Sequence, residues 1–209
     1  MATYSQALAG RFHVLLRLTI IRDGREDSCR PRVCFYINKK INPKAWSVQH
    51  YSRDVSTLSV KTALGVAHIH NVYVQSKVGS PEERDRATGI AQAALTVLHR
   101  AMQRGRSDHH IVVGDFNLHH PLWSKPRQAQ MRDDDANELV NLMGDYGLEL
   151  LTERGMTTVD GAVYGSEVQS TLDLTWASTP LADRCARCQD QPQWLFIADH
   201  IPVLTELDL

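Results

Sequence analysis

No stretch of this 209-residue sequence is apolar for long enough to cross a bilayer. The longest apolar run near the start, Phe12 to Ile21, is short and is interrupted by His13 and Arg17. A secretory leader is not expected either, because Met1 leads into polar residues with no basic start and no apolar centre. Charge of one sign is also missing. Lys and Arg number 23 against 24 Asp and Glu, for a formal net charge of -1. That balance excludes a strongly basic chain that coats nucleic acid, and it leaves a local basic patch open. Cysteine is scarce: Cys29, Cys34, Cys185 and Cys188. Cys185-Ala-Arg-Cys188 has half of a zinc-site spacing, but Cys29 and Cys34 stand too far apart to supply the other half. Reduced thiols of an intracellular protein are the simpler reading. Repeats, low-complexity tracts and linkers are absent as well. What remains is 43% apolar and 22% charged residues over a length that suits one domain with its own core.

Within that domain one stretch organises the rest: His110-Ile-Val-Val-Gly-Asp-Phe-Asn-Leu-His-His-Pro-Leu-Trp123. Ile111 to Val113 reads as a short buried strand, and Gly114 permits a tight turn of the backbone. Asp115 and Asn117 follow two residues apart, a spacing that puts both side chains on one face of an extended chain. A carboxylate beside a neutral amide suits a site that holds a hard cation and also donates to a phosphate oxygen. The same residues equally suit a turn whose polar side chains cap local backbone groups.

Around this stretch the pattern alternates strands and helices. Val14–Ile21 could be a strand, and Asp23 to Asp27 reads as a polar turn. Val33–Ile37, Trp46–Tyr51, Thr57–Val60 and Gly65–Val74 read as strands. Ser80-Pro-Glu-Glu83 carries a capping box with Pro at the first helical position. Ala87, Ile90, Ala94, Val97, Leu98 and Ala101 then recur at helical spacing up to Gly105. Asp108–Val113 is the next strand. Asp133-Asp-Asp135 starts a second helix, with Leu139, Val140, Met143 and Tyr146 on one face and Gly147 as its stop. Leu148–Leu151, Ser170–Trp176, Phe196–Ile197 and Val203–Leu204 complete an α/β layered domain.

Asn71, Tyr73, Asp115, Asn117, Asp173, Asp199 and His200 fall at the ends of these apolar runs. A carboxylate next to a histidine fixes its tautomer and raises its basicity, and Tyr and Asn donate to phosphate oxygens. Four blocks carry them in order: His70-Asn-Val-Tyr73, Gly114-Asp-Phe-Asn117, Ser170-Thr-Leu-Asp173 and Asp199-His-Ile-Pro-Val203. By these blocks the chain is similar to the endonuclease/exonuclease/phosphatase superfamily. Arg30-Pro-Arg-Val33, Trp46 to Val60 and the Asn117-Leu-His-His-Pro-Leu-Trp123 string resemble the apurinic-type endonuclease domain of fungal LINE-type (non-LTR) retrotransposons.

The resemblance implies a four-layer α/β sandwich, with two mostly antiparallel sheets flanked by helices, over residues 30–209. Residues 1–29 are left as a poorly defined segment. It implies hydrolysis of a DNA phosphodiester assisted by Mg²⁺ or Mn²⁺, in an intracellular setting that is nuclear when DNA is the target. Carried over by position, Asp115 orients or deprotonates the attacking water, and Asn117 and Tyr73 hold the scissile phosphate. His200, oriented by Asp173, stabilises developing charge, and Asp115 and Asp199 are the metal ligands. Asn71, Asn117, His119, His120 and Trp123 are the expected substrate contacts. All the catalytic residues should converge at one sheet edge, with His200 in hydrogen-bond reach of Asp173.

Two departures stand out. The family's opening blocks, a strand with an Asn and a strand ending in a metal-binding Glu, are not found before residue 30, and Ala198 replaces a usual Ser. The chain is therefore expected to be an N-terminally truncated domain that lacks its first strands and has weakened activity. Two alternatives stay open: a non-catalytic remnant that binds nucleic acid weakly through Lys125 and Arg127, and a phosphatase of the same superfamily.

Overall fold

The computed structural model describes residues 31–128, 130, 134–161, 169–194 and 199–209, and the backbone of three short strands before them. Those three are β1 (Phe12–Leu15), β2 (Ile20–Arg22) and β3 (Arg25–Asp27). β2 and β3 pair antiparallel, so Arg25 to Asp27, read from sequence as part of a polar turn, form a strand. β1 pairs antiparallel with β4 (Phe35–Asn38). The expected strand at Phe196–Ile197, with Ala198, lies outside the described residues, as does Asp133.

The centre is a six-stranded sheet. In chain order its strands are β5 (Trp46–His50), β6 (Val55–Thr62), β7 (Gly65–Tyr73), β8 (His109–Asp115), β9 (Leu148–Leu150) and β12 (Asp173–Ser178). They lie side by side as β5-β6-β7-β8-β12-β9, and only β7 and β8 run parallel. That parallel step needs a long crossover, supplied by helix α1 (Pro81–Gln103). Its start is the capping box read from sequence: Ser80 Oγ accepts from Glu83 N, and Glu83 Oε2 accepts from Ser80 N. Its inner face is Ala87, Ala91, Ala94, Leu95, Leu98, Ala101 and Met102, while Ile90, expected inside, is exposed. Helix α2 (Asp134–Asp145) covers the same face, packing Leu139, Leu142 and Met143 inward before Gly147 turns the chain at φ +62°.

Strand periodicity sorts the sheet residues by face. Val72, Val112, Leu174 and Trp176 join the helices in the main core, which also takes Phe116, Leu118 and Trp123. Ala67, Ile111 and Ala177 point the other way, to a smaller cluster closed by Leu181 of helix α3 (Thr179–Ala182) and by Leu207. Leu207 belongs to the two-stranded sheet of β13 (Cys185–Asp190) and β14 (Val203–Leu207). A short hairpin of β10 (Val159–Asp160) and β11 (Gln169–Ser170) precedes β12. The expected run Ser170–Trp176 is thus split between β11 and β12. Among the described residues no helix is long and apolar enough to cross a membrane.

Three histidines sit under the helices. His110 stacks on His68 and His70, with ring centroids 5.5 and 5.3 Å apart, and the His68 and His70 rings are tilted at 6.3 Å. His110 Nε2 must donate to the carbonyl of Gly105, 2.9 Å away. Its Nδ1 therefore accepts from His70 Nε2 at 3.0 Å, and His70 Nδ1 accepts from the Thr57 hydroxyl at 2.8 Å. With both rings neutral every bond in this chain has one donor and one acceptor. Burial pushes His70 down to about 3, and burial likewise lowers His110.

Candidate active site

Register brings the site together. Tyr73 lies opposite Asp115 on the parallel β7–β8 ladder, and Asp115 lies opposite Asp173 on the antiparallel β8–β12 ladder. Directly paired residues point to the same face. Tyr73, Asp115 and Asp173 therefore form one row across three neighbouring strands, on the face away from α1 and α2. Gly114 makes the row possible. It has φ +146°, and a Cβ on it would lie 1.8 Å from the carbonyl oxygen of Val72.

Past the strand end, Asn117 takes the left-handed conformation at φ +48°, which Asn tolerates better than most residues. Its backbone N donates to Asp115 Oδ1 at 3.1 Å, and its Nδ2 donates to Asp115 Oδ2 at 2.8 Å and to the Val74 carbonyl at 3.0 Å. The turn and the site are thus one feature: the residues that cap the strand end also aim the carboxylate.

His200 arrives from the C-terminal part of the chain. Thr158, fully buried, is the latch that brings it in. Its hydroxyl accepts from the backbone N of Leu172 and of Asp173, at 2.9 and 3.0 Å, and its carbonyl accepts from Ile201 N at 2.8 Å. Val159 forms an isolated bridge with His200, and Asp160 N donates to the Asp199 carbonyl at 2.9 Å. The His200 ring then lies with Nδ1 2.8 Å from Asp173 Oδ2 and Nε2 4.0 Å from Asp115 Oδ2. A cleft of about 450 Å³ opens beside this pair, lined by Gly114, Asp173, Thr175, His200, Pro202 and Thr205 among others.

The electrostatics are those of crowded carboxylates around one cation. The hydrogen bond to Asp173 raises His200 to about 9 against the opposing effect of burial, and the charges of Asp173, Asp115 and Asp199 add to it. Burial, and then the charge of Asp173, push Asp115 up to about 6, although His200 and Asn117 pull it down. At neutral pH the site holds an imidazolium and an ionised Asp115. It can take a proton at Asp115 and donate one at His200.

No group of three or more His, Cys, Asp or Glu among the described residues is arranged to hold a metal ion. With Asp173 engaged by His200, Asp115 is the carboxylate of the row left as an oxygen donor, and Asp199 lies near enough for its charge to act on His200. One or two carboxylates suit Mg²⁺, which keeps several waters and takes oxygens from a substrate phosphate. The raised Asp115 carboxyl fits a cation there, because a second positive charge would offset both the burial and the charge of Asp173 that raise it.

The expected substrate contacts separate. Asn71 lies one row back from Tyr73 and donates Nδ2 to the Cys34 carbonyl at 2.9 Å, tying the chain before β4 to the sheet. Trp123 is fully buried: its Nε1 donates to the Leu118 carbonyl at 3.0 Å and its ring meets Trp176 edge-on. It is a core residue, because a ring with no exposed surface has none to offer a substrate. His119 and His120 are half-buried in the loop after Asn117, where His120 Nδ1 accepts from Leu122 N at 3.2 Å. Lys125 donates to Thr157 and Gln169, each at 3.0 Å. Sequence reasoning passed over Thr158, whose hydroxyl carries no periodic signal. It also passed over the part played by Arg32, whose guanidinium lies 4.4 Å from the centre of the Tyr73 ring.

Comparison with known proteins bears on what such a site is. The family model described as endonuclease–reverse transcriptase matches residues 67–204. Comparison with curated proteins finds no sequence match. Among solved structures, the endonuclease domain of TRAS1, a telomere-specific non-LTR retrotransposon, is similar with TM-score 0.65 and 16% identity, over 95% of this chain and 80% of that one. An AP endonuclease from Archaeoglobus fulgidus matches with TM-score 0.65 and 19% identity, over 99% and 83%. The 3′ phosphatase NExo from Neisseria, bound to a product DNA hairpin, matches with TM-score 0.66 and 17% identity, over 100% and 84%. At these identities the likeness is one of fold.

Proposed function

Since the chain belongs to the endonuclease–reverse transcriptase family, within the endonuclease/exonuclease/phosphatase superfamily, we propose that it hydrolyses DNA phosphodiesters as the endonuclease domain of a retrotransposon. The observation that carries this reading is the row Tyr73–Asp115–Asp173 with His200 held against its two carboxylates. Phosphoryl transfer asks for in-line placement and positive charge more than for a covalent nucleophile. Asp115, ionised above about pH 6 and fixed by two bonds from Asn117, orients the attacking water and takes its proton. The Tyr73 hydroxyl holds a phosphate oxygen, while the Asn117 amide, whose two N–H groups go to Asp115 and the Val74 carbonyl, keeps Asp115 in place. His200, protonated to about pH 9, meets the charge that develops on them, and Asp173 keeps its ring in place. A divalent cation held by Asp115 and Asp199 would add Lewis-acid charge at the same phosphate.

The test is a nicking time course on supercoiled plasmid with the wild type, Asp115→Asn and His200→Ala, with and without a chelator. Each substitution is expected to slow nicking by about 10²–10⁴-fold, as loss of a positioned acid or base does, and the chelator is expected to stop it. Nicking unchanged in both variants overturns the assignment. A parallel assay on a 3′-phosphorylated duplex separates a phosphatase, which would release phosphate and leave the plasmid intact.

A further inference from the structure

Arg32 stands outside the row of site residues but not outside its reach. It lies just ahead of β4, where its backbone N donates to the Arg53 carbonyl at 2.7 Å. Its Nε binds Asp54 Oδ1 and its Nη1 binds Gln75 Oε1. These acceptors come from two different places, the residue before β6 and the segment after β7. Between them they fix the guanidinium on two fronts, 4.4 Å from the Tyr73 ring centre. Asp54 is itself buried, and its backbone carbonyl accepts from Tyr73 N at 2.9 Å. One residue thus holds both the backbone of Tyr73 and the cation that covers its ring.

Such a device is more than packing requires. An apolar side chain would cover the ring as well, without a buried carboxylate to balance it. The planar fork of Arg can serve two acceptors and still stack on an aromatic face, which the single ammonium of Lys cannot do. Strand order gives the consequence. β6 and β12 flank the β7–β8 pair on opposite sides, so Arg32, beside Asp54, lies at one end of the row and His200, on Asp173, at the other. Two cations bracket Tyr73 and Asp115.

We propose that Arg32 is a positioning residue: clamped by Asp54 and Gln75, it holds the Tyr73 ring at the angle from which the hydroxyl donates to a phosphate oxygen of the substrate. The proposal rests on the phosphodiesterase reading above and adds to it a dependence of Tyr73 on a segment some forty residues upstream.

The experiment measures kcat and KM for plasmid nicking, with a melting curve for each protein, in the wild type and in Arg32→Met, Arg32→Lys, Asp54→Asn, Tyr73→Phe and Arg32→Met/Tyr73→Phe. Misplacing a group that must align with the reacting phosphate costs roughly tenfold to a hundredfold in rate. Arg32→Met, Arg32→Lys and Asp54→Asn are each expected to lose that much in kcat with KM little changed. The double variant is expected to be no slower than the slower single one, since both changes remove the same contact. A merely structural role would lower the melting temperature and leave kcat of the folded fraction intact, which would overturn the proposal. Multiplying effects in the double variant would overturn it too, by showing that Arg32 acts apart from Tyr73. Should Arg32→Met fail to fold, Asp54→Asn decides by the same two criteria. A wild type that nicks no plasmid defeats the phosphodiesterase reading and this inference with it. A wild type that nicks, but with additive variants, defeats the inference alone.

Discussion

His200 reaches two carboxylates with one ring: Nδ1 lies 2.8 Å from Asp173 and Nε2 lies 4.0 Å from Asp115. The hydrogen bond to Asp173 is the largest cause of its raised affinity for a proton, up to about 9. A group raised in the folded state stabilises the fold fully below its unfolded value, about 6.5, and loses that contribution as pH rises through about 9. The same titration should set the alkaline limb of nicking. In Asp173→Asn that limb is expected to move down by about one to two pH units, toward an ordinary histidine. The pH profile of kcat checks this, and a limb that stays in place would separate Asp173 from the role given to it.

Acid should weaken the fold through the buried histidines. His70 is depressed to about 3, so it stays neutral in the fold while the unfolded chain begins to bind a proton below about 6.5. Its contribution is present above 6.5 and is lost as pH falls toward 3. The groups that face it are His110, His68 and Thr57, with Asp108 on His68. At pH 5 the linkage amounts to roughly 2 kcal/mol for His70. Asp115, raised to about 6, works in the opposite direction over the same range. The decisive quantity is therefore the difference between proteins. Urea midpoints at pH 7 and pH 5 should fall further in the wild type than in His70→Gln, and equal falls would refute the assignment.

Gly114→Ala should be among the most damaging single changes. The added Cβ would lie 1.8 Å from Val72 O, and φ +146° is a conformation that L side chains rarely adopt. Because backbone on both sides is locked in the β7–β8 ladder, we expect a loss of more than about 3 kcal/mol. Thermal melting of the soluble fraction measures it. A near-normal melt would mean that the strand end is free to shift.

Trp123 gives a clean separation of core from substrate contact. Trp123→Phe keeps most of the ring and removes the bond from Nε1 to the Leu118 carbonyl, at an expected cost of about 1–2 kcal/mol. KM for DNA should not change. A raised KM with an unaltered melting temperature would return this residue to the substrate.

Local order was written in the sequence because each signal acts over a few residues. The capping box at Ser80–Glu83, the alternation along Gly65–Tyr73 and the Gly114-Asp-Phe-Asn117 turn are set by backbone sterics and by bonds between near neighbours. The site residues Tyr73, Asp115, Asp173 and His200 could be singled out because they interrupt apolar runs in blocks that resemble a known superfamily. Their convergence was another matter. That Tyr73, Asp115 and Asp173 share one row follows from pairing register, which is settled only when strands 40 to 60 residues apart choose their faces against the core. Tertiary packing alone put Trp123 inside, turned Asn71 to the Cys34 carbonyl, and gave Thr158 and Arg32 their tasks. Those side chains act on partners remote in sequence, and a hydroxyl or a guanidinium carries no mark of which partner the fold will bring within 3 to 5 Å of it.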